Sequence, residues 1–369
     1  MTVVKNLIYL ALSLICIIFI LLLILFSTQR SDIEVIEITD CKSDSKLTVY
    51  CGFTNPEDIV VLPNNKHLLV SEFGALPPMN PENLPGRISL FDTDTLEIKP
   101  IKISPGENEW GHANCSRSDS IYSPHGIDLI KRNDGRYQLA VVNHMPRETI
   151  EMFELTDVQN TWSLIWKGCI DAPELGYFND VALKKDGTFY VSHMYNRDKS
   201  LLWLVYATYV TIDTGFVYQW DADRGYQKVS GTEGSYPNGV ELSLDENYLF
   251  TNYILNRKTS KLDLASGTVI QEHFGVGMPD NLTIDGEFIW VATQDHTGTD
   301  LLLHCGSDDI LQCSLPFTIF KLRQSDLSEV AVFSFSNTAI GSVTVAVPDK
   351  DRVWLGTFHG DRMASFDIN

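Results

Sequence analysis

The sequence is poor in positive charge. Its 369 residues include 28 lysines and arginines against 48 aspartates and glutamates, which gives a formal net charge of -20. The phosphates of a nucleic acid would repel such a chain, so we expect no nucleic-acid partner. The balance fits a soluble acidic surface, or carboxylates gathered to hold cations. With 44% hydrophobic residues, one large all-β domain or two smaller domains would both have enough core.

Several signatures of enzymes and metal sites are missing. The sequence has no G-x-S-x-G motif of a serine hydrolase and no P-loop or dinucleotide-binding fingerprint. Its seven cysteines include no C-x-x-C and no paired histidines nearby, which excludes the common zinc patterns. Cys41 with Cys51, and Cys305 with Cys313, are close enough in sequence to form disulfides in an oxidising compartment. Buried free thiols are an equally good interpretation.

Long hydrophobic runs are also scarce, and the one that stands out is at the N-terminus. Residues 7–26 carry no charge, and roughly 20 apolar residues suffice to cross a bilayer as a helix. A cleaved signal peptide is the alternative, but the run ends in FSTQR without an A-x-A-like cleavage site. We therefore expect residues 1–30 to be a single-pass membrane anchor or uncleaved signal. Residues 31–369 would form the folded domain, in a luminal, extracellular or periplasmic compartment.

The sequence does contain a repeat, in which a short polar pair precedes a strand of alternating apolar residues, a turn and a second strand. The six copies begin at Pro56, Pro124, Phe178, Pro237, Pro279 and Ile340. Repeats of this length are typical of propeller blades, whose radial packing buries faces that one hairpin leaves exposed. We predict an all-β, six-bladed β-propeller with an N-terminal transmembrane helix; stacked β-sandwiches are the alternative. The β-prone residues 34–38 (EVIEI) would complete the last blade.

The polar pair that opens each repeat should face the central channel, because the innermost strand of every blade lines it. The pairs are Glu57-Asp58, His125-Gly126, Asn179-Asp180, Asn238-Gly239, Asp280-Asn281 and Gly341-Ser342. Their four carboxylates and three amides are hard oxygen ligands that suit Ca²⁺, whereas Mg²⁺ demands stricter octahedral geometry. Without a cation these carboxylates would repel one another. Turn chemistry could explain any single pair, but its recurrence favours a metal site.

Seven segments, in addition to the apolar N-terminus, make the chain resemble the serum paraoxonase/arylesterase family, within the wider SMP-30/gluconolactonase group. They are PEDIVVLPN, SPHGIDL, VVNHMP, FNDVAL, PNGVELS, PDNLTID and GSVTVAV, and they cover most of the chain. The resemblance implies two calcium ions in the channel. It assigns a catalytic ion to Glu57, Asn179, Asn238, Asp280 and Asn281. It assigns a deeper structural ion to Asp58, Asp180 and the backbone carbonyl of Ile127.

The resemblance also implies a small-molecule substrate, through calcium-dependent hydrolysis of lactones and aryl esters. The ion would polarise the ester carbonyl, and His125 would act as general base on water. His144 would orient His125 or relay protons; a purely structural histidine is the alternative, and a metal-bound carboxylate could act directly. A non-catalytic, calcium-stabilised propeller that serves as an interaction scaffold is the alternative function. A strictosidine-synthase-like propeller is a second alternative enzyme, which shares the fold but not this set of oxygen ligands.

The chain departs from the family pattern in three places. Cys41 is present, but the C-terminal cysteine that relatives pair with it is not, so that closing disulfide is absent or replaced. The loop at residues 71–87 lacks the relatives' tyrosine, and CGSDDILQC at 305–313 resembles an insertion. Residues 201–210 (LLWLVYATYV) fall where relatives have a helix beside the site mouth, although a buried strand fits equally well. Asn114, in the sequon N-C-S, is the candidate glycosylation site.

Overall fold

The computed structural model describes residues 33–74, 84–117, 123–159, 161–305 and 312–368, together with Lys5, Tyr9, Ser13 and Cys16. The first strands of the chain are β1 (Thr48–Cys51), β2 (Pro56–Val61), β3 (His67–Glu72), β4 (Arg87–Asp92), β5 (Ile98–Pro100) and β6 (Lys102–Ser104). They are followed by β7 (Pro124–Lys131), β8 (Tyr137–Asn143), β9 (Thr149–Val158) and β10 (Thr161–Asp171).

The middle of the chain alternates strands with one helix. Its elements are β11 (Phe178–Leu183), β12 (Phe189–His193), α1 (Leu201–Val210), β13 (Phe216–Asp221), β14 (Gly225–Lys228), β15 (Pro237–Leu242), β16 (Tyr248–Tyr253), β17 (Lys258–Asp263) and β18 (Thr268–Phe274). The last elements are β19 (Met278–Asp285), β20 (Phe288–Gln294), α2 (Gly298–Cys305), β21 (Phe317–Arg323), β22 (Glu329–Phe335), β23 (Val343–Asp349), β24 (Arg352–Thr357) and β25 (Arg362–Asp367).

These strands form six sheets that follow one another around a ring. In strand order the sheets are β2-β3-β4-β5, β7-β8-β9-β10-β6, β11-β12-β13-β14, β15-β16-β17-β18, β19-β20-β21-β22 and β23-β24-β25-β1. The first strand of each sheet contacts the first strand of the next, and β23 contacts β2, so the innermost strands close a circle. The predicted six-bladed β-propeller is confirmed, with the strands that begin at the polar pairs around the channel.

The hydrophobic core lies between neighbouring blades and not within any one of them. Leu69 and Leu90 of the first blade pack with Leu139 and Phe153 of the second in one buried cluster. Similar clusters join the other blades, as alternate residues of each strand turn to the sheet on either side. A single blade therefore has no core of its own, which is why the six copies must fold together.

The ring closes through an N-terminal strand, but not through the predicted one. β1 pairs antiparallel with β25, with Val49 opposite Ala364 and Tyr50 opposite Met363. Residues 34–38 are not a strand and are mostly exposed, so the expectation for EVIEI is wrong. The reason is burial: Val49 and Tyr50 bury their side chains between blades, whereas Ile36 stays 39% exposed. Closing the sheet with residues 48–51 therefore buries more apolar surface than closing it with residues 34–38 would.

Three disulfides connect the described cysteines of the domain. Cys41–Cys51 and Cys305–Cys313, both expected as possible pairs, are formed, with Cα–Cα distances of 6.1 and 5.6 Å. Cys41 thus pairs locally, with Cys51. Cys115–Cys169 joins residues 54 apart in sequence, and its spacing offered no signal.

The predicted membrane anchor at residues 7–26 lies outside the described residues, apart from Tyr9, Ser13 and Cys16, and stays a prediction. Among the residues that the structure describes, no helix is both long and apolar enough to cross a bilayer. Residues 201–210 form the helix α1, so the alternative of a buried strand there is wrong.

Candidate channel site

Five of the six inner strands carry a β-bulge at their polar pair. The register between the inner strand and its partner shifts directly after Pro56, Pro124, Phe178, Pro237 and Pro279. A bulge inserts one extra residue, breaks the strict alternation of side chains and re-aims the backbone. Neighbouring residues such as Asn179 and Asp180 can therefore both be buried at the channel, instead of pointing to opposite faces.

The sixth repeat departs from the predicted pattern. β23 begins at Val343, so Gly341 and Ser342 lie before the strand and not at its bulge. The register shift falls between Val343 and Val345, which makes Thr344 the residue at the bulge. Its hydroxyl donates a hydrogen bond of 2.5 Å to the backbone carbonyl of Glu57. The sixth blade thus supplies a bracing hydroxyl where the other five supply acids, amides or imidazole.

Five side chains that the sequence assigned to a catalytic ion are brought together. Asn281 Nδ2 donates to Glu57 Oε1 at 3.0 Å, and Asn238 hydrogen-bonds Asp280. Asn179 joins the set through His125, since its Nδ2 lies 3.4 Å from His125 Nε2, which is 3.5 Å from Glu57 Oε1. All five are buried, and the group spans four blades. Residues 224 positions apart in sequence therefore share one site.

The oxygens of this set are under-satisfied. Glu57 Oε2 and the Oδ1 atoms of Asn179, Asn238 and Asn281 are buried and have no hydrogen-bond partner among the described residues. Such groups are rare in native proteins, because an unpartnered buried acceptor costs about 1–3 kcal/mol. Burial, with repulsion from Glu57, also raises the pKa of Asp280 well above its usual range. A cation held by these oxygens would relieve both penalties, so the residues fit a calcium ion.

An ion here would depend on amide and backbone oxygens as well as carboxylates. In the described part of the chain, no group of three or more histidine, cysteine, aspartate and glutamate side chains is placed to hold a metal. In the predicted set, Asn179, Asn238 and Asn281 outnumber Glu57 and Asp280.

The deeper set is built differently. Asp58 accepts hydrogen bonds from the backbone N–H of Ile59 at 2.8 Å and of Ile127 at 2.7 Å. Asp180 accepts from Val181 at 2.8 Å and Val240 at 2.9 Å. Each aspartate thus ties its own blade to the next one. The predicted ligand Ile127 lies in this region through its backbone.

The ionised form of the deeper carboxylates is unfavourable in spite of these hydrogen bonds, because the groups are buried and lie near one another. Burial raises the pKa of Asp58 well above its usual range, and the negative charge of Glu57 adds to the effect. Burial also raises the pKa of Asp180, with Asp58 as the next cause. Two residues that the sequence analysis did not single out, Asp128 and Glu241, lie beyond them, and burial raises the pKa of both, of Asp128 to about 6. This acidic interior is where a second cation would be most stabilising.

Two glycines of the polar pairs are required by close backbone approach. A Cβ on Gly126 would come within 2.5 Å of Asp180 Cα and 2.7 Å of Asn179 O. A Cβ on Gly239 would come within 2.5 Å of Asp280 O. Real side chains do not tolerate such contacts, so each glycine lets the next blade's ligand-bearing strand lie against it.

The two predicted catalytic histidines are in direct contact. His125 Nδ1 and His144 Nε2 are 2.8 Å apart, and the ring of Phe73 packs on both imidazoles. Behind them, His144 Nδ1 lies 2.9 Å from Glu148 Oε2, which also pairs with Arg197 at 3.0 Å. Sequence reasoning missed Glu148 and Arg197; the available signal was a carboxylate four residues after the histidine. Burial lowers the pKa of His144, and Glu148 opposes that effect in part.

An aromatic wall leads from the histidines to α1. Tyr177 packs against His144, and Tyr195 packs against Tyr177. The ring centroid of Trp203, in the helix, lies 6.3 Å from that of Tyr195. The helix exposes three apolar side chains at intervals of four residues, Leu202 (82%), Tyr206 (52%) and Val210 (49%). Such spacing places them on one face of the helix, so an apolar stripe borders the aromatic wall. Part of the loop at 71–87, residues 75–83, lies outside the described residues.

The chain is similar to several known proteins. The chain is 25% identical over 206 residues to the Drosophila melanogaster adipocyte plasma membrane-associated protein Hemomucin. The aligned region covers 50% of this chain and 35% of that protein. The chain thus spans about a third of that relative's length. The luciferin-regenerating enzyme superposes with a TM-score of 0.51 at 13% identity, over 88% of this chain and 96% of that one, which supports the fold alone. A nidogen/laminin complex aligns with a TM-score of 0.42.

The family model described as arylesterase matches residues 34–362, which include five complete blades, all but the last strand of the sixth, and every predicted site residue of the domain. The match covers the strands that carry the bulged pairs, the two histidines and the candidate ion ligands. On this evidence, the chain belongs to the arylesterase family.

Proposed function

We propose that this protein is a calcium-dependent hydrolase of lactones and aryl esters. The observation that carries the proposal is the group of four buried oxygens without hydrogen-bond partners, on Glu57, Asn179, Asn238 and Asn281, beside the imidazole of His125. A calcium-stabilised scaffold would also use such a ligand set, but it has no need of an imidazole beside it. Membership of the arylesterase family supports the hydrolase class.

Calcium held by these oxygens would polarise the ester carbonyl and stabilise the negative charge that develops on its oxygen. His125 Nε2 borders the same set, 3.5 Å from Glu57 Oε1. It can take one proton from a water molecule while the water oxygen attacks the carbonyl carbon. The same proton can then pass to the departing alkoxide as the acyl C–O bond breaks. The products are a carboxylic acid and an alcohol, and His125 returns to its starting state.

The aromatic wall supplies the apolar part of the substrate site. Phe73 lies against His125, and Tyr177 and Tyr195 continue the surface away from the ligand set. Aromatic faces would pack on an aryl ring or on the carbon chain of a lactone, and so orient the carbonyl toward the calcium ligands.

The test compares hydrolysis of an aryl acetate and of a δ-lactone by the full chain, with calcium and with a chelator. His125→Gln keeps the approximate size of the side chain and should lower turnover by about 10²–10⁴-fold with calcium still bound. His273→Gln is the matched control, since His273 also pairs with a carboxylate, Glu329, but on an outer strand. Calcium binding without hydrolysis of either ester at any pH would establish the scaffold alternative.

We also propose that the protein is held at a membrane, with its propeller in a luminal, extracellular or periplasmic compartment. The apolar run at residues 7–26, the stripe of Leu202, Tyr206 and Val210 and the three disulfides support this. So does the membrane-associated name of the Drosophila relative. Asn114 is exposed beside the Cys115–Cys169 disulfide, where a glycan would have room. Retention in alkaline-washed membranes, with the N-terminal segment still present by intact mass, is the expected result. A mature N-terminus near Ser31 would overturn it.

A further inference from the structure

A hydrogen-bonded chain of four side chains runs outward from the channel behind His125. His125 Nδ1 lies 2.8 Å from His144 Nε2, and His144 Nδ1 lies 2.9 and 3.0 Å from the two oxygens of Glu148. Arg197 Nη1 then pairs with Glu148 Oε2 at 3.0 Å. His144 is 1% exposed and Glu148 is 8% exposed, so water competes little for these bonds. Neither Glu148 nor Arg197 has a place in the proposed reaction so far.

The chemistry of these partners fixes where the protons lie. A carboxylate can only accept hydrogen bonds, so His144 Nδ1 must carry a hydrogen. A neutral His144 then has a lone pair on Nε2, and His125 must donate to it through Nδ1–H. The lone pair of His125 is thereby left on Nε2, the atom that faces Glu57 and Asn179.

Asn179 supports this assignment from the other side. Its Nδ2, which can only donate, lies 3.4 Å from His125 Nε2, and its Oδ1 is left for the ion site. We infer that Glu148, braced by Arg197, is a positioning residue that sets the tautomer of His144 and so directs the lone pair of His125 Nε2 into the channel. The inference rests on the proposed hydrolase function for its catalytic consequence, but the tautomer itself can be observed without turnover.

Glu148 is held too firmly to be a loosely placed surface acid. Its Oε1 accepts a hydrogen bond of 2.8 Å from the backbone N–H of Phe178, the residue before Asn179. The guanidinium of Arg197 lies over the ring of Tyr177, 5.4 Å from its centroid. The carboxylate is therefore fixed relative to both the histidines and the strand that carries a calcium ligand.

Glu148 also borders a surface groove of about 480 Å³, lined by Arg147, Asp171 and Arg197 among others. Small anions from solvent could therefore reach the position of its carboxylate if the side chain were shortened. This allows a rescue experiment that separates an electrostatic role from a purely structural one.

The test combines nitrogen NMR of the histidines with kinetics, using Glu148→Gln and the matched control Glu329→Gln, which alters the His273 pair. In the wild type, the ¹⁵N signals of His144 should show the Nδ1–H tautomer and those of His125 a bare Nε2. In Glu148→Gln, whose amide can also donate, the His144 signals should shift toward the Nε2–H form. Turnover should fall by about 10²-fold with KM little changed. Glu329→Gln should leave the signals of His125 and His144 and the turnover unchanged.

Rescue and a second variant guard against misfolding of Glu148→Gln. Formate should restore part of the turnover of Glu148→Ala, because Arg197 remains to hold the anion. Arg197→Gln should weaken turnover less, since the carboxylate stays in place. An unchanged His144 tautomer in a folded Glu148 variant, or full turnover by Glu148→Gln, would overturn the inference. A wild type that shows the stated tautomers but hydrolyses no ester would refute the proposed function and leave the positioning role standing.

Discussion

The two sets of channel residues, predicted to hold two ions, differ in how their oxygens are satisfied. In the upper set, which is the one predicted to hold the catalytic ion, Glu57 and Asn179 have buried oxygens without hydrogen-bond partners in the described residues. In the deeper set, the next residues along the same strands, Asp58 and Asp180, have both oxygens bonded to backbone N–H groups. The upper set therefore leaves buried oxygens without hydrogen-bond partners, whereas the oxygens of the deeper set already tie neighbouring blades together.

The bulges explain how neighbouring residues come to have these two environments. In the first blade, Glu57 lies at the extra position between Pro56 and Asp58 and is free of the strand ladder. The second residue of the pair reaches the backbone of the next blade, as Asp58 does at Ile127 and Asp180 at Val240. In these two blades, the bulge thus places a predicted ligand of the catalytic ion next to a residue that hydrogen-bonds the neighbouring blade. We expect loss of the first to damage activity and loss of the second to damage stability.

Removal of calcium should have the largest effect, because it acts on both sets at once. A chelator should abolish hydrolysis and lower the melting temperature. Each ion at hundredfold excess over its dissociation constant contributes about 2.7 kcal/mol to the free energy of unfolding. The measurements are calorimetry and elemental analysis of the purified chain. Protein that contains no calcium and melts at the same temperature in chelator would contradict both predicted sites.

Single substitutions should separate the two sets. Asp180→Ala leaves the buried N–H groups of Val181 and Val240 without acceptors, at about 1–3 kcal/mol each, even in chelator. Asn238→Ala removes an unpartnered oxygen and one hydrogen bond, to Asp280, so in chelator it should cost only about 1 kcal/mol. With calcium, Asn238→Ala should instead lose most of its turnover. Denaturant titrations with and without calcium measure the difference.

Asn256→Ala is the control for that comparison, because the oxygen of Asn256 is already bonded to the backbone N–H of Ser235. It should leave turnover and calcium affinity unchanged. Equal losses of stability and equal residual activity in the Asp180 and Asn238 variants would show that the two sets do not differ in role.

The pH dependence of the calcium-free protein should reveal the deeper carboxylates. Burial raises the pKa of Asp58 and Asp180, and that of Asp128 to about 6, so the folded state holds protons that the unfolded chain releases near pH 4. The free energy of unfolding in chelator should therefore fall as the pH rises from about 4 through the raised pKa values of these three carboxyl groups. Each pKa unit corresponds to about 1.4 kcal/mol.

Calcium should reverse that trend, because it binds the ionised carboxylates. Denaturant titrations at several pH values, in calcium and in chelator, provide the measurement. Calcium-free protein whose stability rises with pH over this range would mean that the deeper carboxylates are ionised without a cation.

Alanine at the two close-packed glycines should give the most local effects, each directed at one of the two sets. Gly126→Ala would push on Asp180 of the deeper set, and Gly239→Ala on Asp280 and Asn281 of the upper set. Overpacking of this kind costs about 1–3 kcal/mol. We expect the first to lower stability more, and the second to lower turnover more. Gly298→Ala is the control, since a Cβ there meets nothing within 4 Å. Identical behaviour of all three variants would show that the close approach is unimportant.

Much of this protein follows from its sequence through repetition. Six copies of a polar pair and a hairpin predicted the propeller, since side chains at equivalent repeat positions must converge on one axis. The same reasoning placed Glu57, Asn179, Asn238, Asp280 and Asn281 at the channel, where the structure also has them. The direct contact of His125 with His144 follows the family resemblance.

Features without a repeat or a motif were decided by the tertiary structure. The choice of Thr48–Cys51 over residues 34–38 to close the ring depends on which segment can bury its side chains between two blades. Cys115 finds Cys169 across 54 residues because the segment after β6 packs against β10, where the backbone N–H of His112 donates to the carbonyl of Cys169. Thr344 takes the bulge of the sixth blade although Gly341 and Ser342 match the pattern better.

The sequence by itself determined the number of blades and the residue types at the channel, because these recur as short local patterns, and the family resemblance indicated the two histidines. Only the tertiary structure decided which oxygens remain unsatisfied and which are tied to backbone. It also decided that Glu148 and Arg197 stand behind the histidines. The physical reason is that hydrogen-bond satisfaction depends on atoms from neighbouring blades, whose relative positions no single segment encodes.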